Sequence, residues 1–106
     1  MILTTTGDIH GMRVTRTLGL VRGNTIRARS IGRDIMAVMR AIAGGEIQEY
    51  TKMLAESREQ AIDRMVEDAE ALGANAIIAI RFQTSMIMSG AAEIMSYGTA
   101  VVVEPE

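Results

Sequence analysis

The sequence predicts an α+β fold in one domain covering residues 1–106, and three stretches carry that prediction. Residues 47–72 set Ile47, Tyr50, Leu54, Ala61, Ile62, Met65, Val66, Ala69 and Leu72 at the spacing of one helical face. Residues 76–82 are apolar on both sides until Arg81, as in a strand covered from two directions. From Met12 the pattern alternates, with Met12, Val14 and Arg16 on one side and Arg13, Thr15 and Thr17 on the other.

In chain order, residues 1–5 are short and β-prone, fit for an edge strand. Thr6-Gly7-Asp8-Ile9-His10-Gly11 has turn chemistry at both glycines. The strand from Met12 continues through Leu18-Gly19-Leu20-Val21, with Gly19 a candidate bulge. Arg22-Gly23-Asn24 reads either as a turn or as a distortion within one long bent strand. Ser30 or Gly32 caps a helix of about three turns with Ile35, Met36, Val38, Met39 and Ile42 on its apolar face; Gly44-Gly45 ends it.

The second helix is read as continuous, because no Gly or Pro interrupts residues 47–72. The rival is a break at Ser57, where Ser57-Arg58-Glu59-Gln60 fits a capping box. Gly73-Ala74-Asn75 turns the chain into residues 76–82, which residues 84–88 extend. Ser89-Gly90-Ala91-Ala92 is a hairpin connection, and residues 93–104 form the closing strand, stopped by Pro105. The order is β-α-α-β-β: a long amphipathic helix against a small antiparallel sheet. Twenty-six helical residues span about 39 Å. A compact chain of this size is only about 33 Å across, so the helix overhangs its own domain and asks for a neighbouring subunit.

Composition narrows the function. Aromatic residues are 3% of the chain, namely Tyr50, Phe82 and Tyr97, and nine methionines help fill the interior. The lack of cysteine removes disulfides, thiolate metal sites and cysteine nucleophiles together. No segment has the roughly 18 consecutive apolar residues of a membrane span. The opening MILTTTGDIHG lacks a basic n-region followed by an apolar h-region, so a cytoplasmic protein is expected. Residues 1–42 hold seven arginines against two aspartates, a net of +5; residues 43–106 hold four cations against eleven carboxylates, a net of −7. That split suits intrachain or intersubunit pairing better than nucleic acid, since the overall charge is −2 and the arginines lack interleaved aromatics.

Several separated motifs resemble the YbjQ-type family of small prokaryotic proteins, some of which carry a heavy-metal-binding label. They are Gly44-Gly45-Glu46-Ile47, Ala71-Leu72-Gly73-Ala74-Asn75-Ala76 with Ile77 to Phe82, and Tyr97-Gly98-Thr99-Ala100-Val101. Thr4-Thr5-Thr6 and Gly19-Leu20-Val21-Arg22-Gly23 add to the match, which runs over essentially the whole chain. The resemblance implies a dodecin-subunit-like β-α-β-β fold assembled as a ring, with a homo-pentamer the expected form. It implies no particular activity. Gly44, Gly45, Gly73, Asn75, Tyr97 and Gly98 stand out as structural or intersubunit candidates.

Candidate chemistry is sparse. Asp8 and His10 are the weak metal candidates, at most half a site per subunit where zinc takes three or four ligands. Met36, Met39, Met53 and Met65 lie on helical stripes and read as core rather than as copper ligands. Glu56, Glu59, Asp63, Glu67, Asp68 and Glu70 read as a solvated helical face, with Arg64 pairing to Asp68 or Glu67. No cofactor motif is present, because Gly19-Leu20-Val21-Arg22-Gly23 has neither Walker nor dinucleotide spacing. Tyr97 reads first as a strand aromatic packing across the sheet and second as a wall of an intersubunit cleft. The reading is a non-enzymatic homo-oligomeric binding or scaffold protein with a ligand cleft between subunits. The alternatives are a small-molecule enzyme with a site shared by two subunits, or a metal-binding protein.

Overall fold

The alternation that starts at Met12 runs without a turn to Arg27, and this sixteen-residue strand is the longest among the described residues. A computed structural model describes residues 1–27, 47–88 and 91–106. Its elements are β1 (Ile2–Leu3), β2 (Met12–Arg27), α1 (Ile47–Ala71), β3 (Ala76–Met88) and β4 (Ala91–Pro105). The helix expected over residues 32–42 and the Gly44-Gly45 stop lie outside the described residues, as do Ser89 and Gly90 of the hairpin connection.

The sheet has four strands in the order β1-β3-β4-β2. It is mixed rather than antiparallel, because β1 runs parallel to β3, with Ile2 opposite Ala76 and Leu3 opposite Ile77. Connectivity explains the difference. The chain crosses from β1 at one edge to β2 at the other, so no hairpin forces β1 to run against its neighbour. β4 lies centrally and pairs antiparallel with both β2 and β3. Arg22, Gly23 and Asn24 belong to β2, so the turn reading is set aside. The register of β2 shifts between Thr17 and Gly19, and Gly19 takes φ of 116°, a conformation open to glycine.

α1 is one uninterrupted helix of 25 residues and passes through Ser57 without a break. Ala61, Met65 and Ala69 are buried on the face it turns to the sheet. They meet Val21 of β2, Ile77 and Ile80 of β3 and Ala100 of β4, with Leu18, Val66 and Ala74 at the fringe. Ser96 Oγ donates to the Ala61 carbonyl at 2.8 Å, and Thr25 Oγ1 donates to the Ser57 carbonyl at 3.2 Å. Gly23 lets the helix come this close: a Cβ there would overlap the Ala61 carbonyl oxygen and the Met65 amide nitrogen.

The helix ends as its glycine predicts. Gly73 takes φ of 84°, its N–H donates to the Glu70 carbonyl, and the Ala74 N–H donates to the Ala69 carbonyl. Leu72 falls after the last helical turn and is 48% exposed, so it drops out of the buried stripe. Asn75 then behaves as an extra rung of the sheet. Its Nδ2 donates to the Val103 carbonyl at 2.9 Å and its Oδ1 accepts the Val103 N–H at 2.8 Å.

The opposite face of the sheet carries a smaller cluster. Ala76, Val101 and Val103 are buried there beneath Ile9, Met12 and Ile78. The Cα radius of gyration is 17.0 Å and the longest extent 54 Å. A compact chain of this length would have a radius near 13 Å, so the protein is drawn out along its hairpin and helix.

Candidate functional site

Helix α1 lies over β2 and β4, reaches Ile77 and Ile80 of β3, and leaves β1 and the part of β3 from Phe82 on uncovered on the same face. The hollow that results measures about 370 Å³ and is lined by Leu3, Thr4, Thr5, Ile62, Met65, Ile80 and Phe82. Its walls come from three places in the sequence: the N-terminal strand and loop, the middle of α1, and the irregular centre of β3.

That irregularity is held by the Thr4-Thr5-Thr6 segment. The register between β3 and β4 shifts between Ile78 and Arg81, and Ala79 adopts φ of 55°, which is costly for a residue with a Cβ. Its amide donates to the Thr6 carbonyl at 2.8 Å, the Ile80 amide donates to the Thr4 carbonyl at 3.1 Å, and the Thr4 amide donates to the Ile77 carbonyl at 3.1 Å. Arg81 Nη1 donates to the Thr5 carbonyl at 2.8 Å. The loop is itself braced, since the Thr4 and Thr6 hydroxyls lie 2.7 Å apart. The bulge buries Ile80 in the core and brings Phe82, 46% exposed, to the wall of the hollow. Gly98 on β4 backs it, where a Cβ would stand 2.8 Å from Ile77 Cγ2 and 2.9 Å from the Ile78 carbonyl oxygen.

The lining has aliphatic, thioether and phenyl groups, and its polar side chains are the threonines. Among the described residues that line it none has a titratable side chain. Such a surface suits an apolar ligand or an apolar neighbouring side chain. A second, shallower hollow of about 410 Å³ runs along α1 between Ala55, Glu56, Glu59, Gln60 and Asp63.

The residues singled out from sequence scatter over the molecule. Asp8 and His10 are exposed in the turn before β2. Gly73 and Asn75 form the helix-to-strand junction. Gly98 lies inside the sheet, and Tyr97 is half-buried on the face turned away from α1, opposite both Arg22 and Arg81. Arg64 and Asp68 do not form the helix-surface pair expected of them. Arg64 Nη1 donates to the Asn24 carbonyl, and Asp68 Oδ2 accepts the Arg22 amide at 3.4 Å. They cap the outer edge of β2; the ion pair among the described residues is Arg13–Glu104 at 3.5 Å.

Among the described residues no three His, Cys, Asp or Glu side chains come together. Met65 is fully buried in the core, and Met86 is exposed on β3. Among the described residues no helix is long and apolar enough to cross a membrane.

The sequence marked the threonine segment only through a family resemblance and gave no sign of the hollow. A phenylalanine inside a two-sided apolar run looks like core, and a left-handed alanine leaves no compositional trace.

Comparison with known proteins places the chain. Curated relatives, each named a UPF0145 protein, include one from Methanosarcina acetivorans, 57% identical over 97% of both chains. Another, from Dehalococcoides mccartyi, is 59% identical over 98% of this chain and all of its own. A crystal structure of a protein of unknown function from Pediococcus pentosaceus superposes with a TM-score of 0.63 over 98% of both chains at 17% identity, which shows a shared fold. The model of the YbjQ-type family, described as "putative heavy-metal-binding", matches residues 1–104, and the chain belongs to that family.

Proposed function

We propose that the protein is a non-enzymatic, cytoplasmic, homo-oligomeric binding or scaffold module whose ligand cleft forms where two subunits meet. The observation that carries this reading is the half-covered sheet. The strip formed by Leu3, Phe82 and Met86 is apolar and exposed on the face where α1 has buried the other half of the sheet. Exposed apolar strips of this kind mark interaction sites. The drawn-out shape, with a radius of gyration of 17.0 Å, supports the same reading. A closed ring follows the dodecin-subunit-like assembly that the family resemblance implies, with five subunits.

Native mass measurement tests it. The expected result is a single closed oligomer at micromolar concentration, and a monomer overturns the reading. Phe82→Asp places a charge in the strip and is expected to dissociate the oligomer with far-ultraviolet circular dichroism unchanged. An intact oligomer in that variant moves the interface away from the hollow.

A further inference from the structure

We propose that a row of three residues across the outer face of the sheet, Arg22, Tyr97 and Arg81, binds the oxyanion group of a small organic anion, a carboxylate or a phosphate, whose apolar body lies over Leu20. The row lies on the face away from α1, and Arg81 links it to the Thr5 loop that lines the hollow.

Register puts the three together. Tyr97 of β4 stands opposite Arg22 of β2 on one side and Arg81 of β3 on the other. Their neighbours Val21, Ile80 and Ser96 are buried toward α1, so alternation turns all three to the opposite face. Strands lie about 4.8 Å apart, which sets the two arginine backbones about 10 Å apart with the phenol between them. Both arginines are exposed and Tyr97 is half-buried.

The row carries two positive charges, and the carboxylate of Asp68 meets Arg22 at its backbone amide. Among the described residues neither Arg22 nor Arg81 forms an ion pair. The outer-face carboxylate beyond the neighbouring row, Glu93, is held by Asn24, whose Nδ2 donates to Glu93 Oε2 at 2.8 Å. Arg81 Nη1 is anchored on the carbonyls of Thr5 and Ile80, both at 2.8 Å, on the β1 side of β3, so Arg81 adds its charge from the far end of the row while Arg22 and the Tyr97 phenol are the near donors. The Arg22 guanidinium fork and the Tyr97 phenolic O–H form a donor set for an oxyanion, with the Arg81 charge in the same row, and a bond from the guanidinium is charge-assisted.

The adjoining row supplies the apolar part. Leu20, Thr99 and Ile78 lie side by side on the same face, and Leu20 is 67% exposed. An anion with a hydrocarbon body covers Leu20 while its head meets the arginines. A bare inorganic anion gains only the second contact.

The test is a titration of ring-labelled tyrosine signals by nuclear magnetic resonance in Tyr50→Phe protein, where Tyr97 is the sole tyrosine. Hexyl phosphate and hexanoate are the probes, with inorganic phosphate as the head alone and hexanol as the body alone. Both organic anions are expected to shift the Tyr97 signal saturably, at least about fivefold more tightly than inorganic phosphate, and hexanol not at all. The tighter of the two identifies the head group as phosphate or carboxylate. Arg22→Gln is expected to weaken binding about fivefold or more, and Leu20→Ser to erase the preference for hexyl phosphate over inorganic phosphate. Arg22 is the informative arginine, since the Arg81 side chain also braces the Thr5 loop. No saturable shift, hexanol as effective as hexanoate, or undiminished binding in Arg22→Gln overturns the proposal. The last of these would mean that the arginines merely stack on Tyr97 as sheet packing.

Discussion

The two halves of the helix-side face are built from side chains of different size and end in different states. Under α1, β2 and β4 contribute Val21, Thr25, Ser96 and Ala100, all buried, with every polar group among them bonded to the helix or the sheet. Beside it, beyond the buried Ile77 and Ile80, β1 and β3 contribute Leu3, Phe82 and Met86, all exposed. The difference comes from small residues, not from hydrophobicity. Gly23, Ala61, Ala69 and Ala100 let the helix settle on β2 and β4, whereas Phe82 and Ile62 hold open the hollow on the other side. Close approach has fixed one half as core, and bulk has left the other as surface to be covered.

That contrast can be broken from either side. Gly23→Ala drives a methyl group into the backbone of α1, and a loss of roughly 3 kcal/mol or more in urea unfolding is expected, because backbone cannot yield as a side chain can. Met65→Ala empties the centre of the sealed half and is expected to cost about 3 kcal/mol by the same measurement. Asn75→Ala removes both bonds to Val103 and is expected to cost about 2 kcal/mol, seen first as faster amide exchange at Val103. Gly73→Ala forces a Cβ into a left-handed conformation at the helix end and is expected to lower stability by about 1 kcal/mol. Phe82→Ser, on the open half, is expected to change the stability of an isolated subunit by less than about 0.5 kcal/mol. A cost there comparable to Met65→Ala would erase the distinction between the halves.

Much of this architecture was legible in the sequence. The continuous helix followed from the absence of breakers between Ile47 and Leu72, and its end from Gly73. The long second strand was legible except at Arg22-Gly23-Asn24, where turn chemistry and strand continuation compete locally and only helix packing against Gly23 decides. The parallel placement of β1 was not legible, since two residues carry no directional signal and their partner lies at Ala76. The hollow was hidden for a related reason. It depends on Ala79, whose left-handed backbone is imposed by Thr4 and Thr6 from the far end of the chain. The pairing assigned to Arg64 and Asp68 failed because helix spacing shows which side chains are near each other, not that a strand edge competes for both.

The parallel pairing of β1 also fixes when the protein can fold. Ile2 leaves the ribosome long before Ala76 exists, and Met12 must wait for Pro105. At about 5–20 residues per second the N-terminal strand stays without its partner for about 4 to 15 seconds. The sheet therefore closes only after Pro105 has been made, and until then the arginine-rich β2 is open to whatever else is in the cell.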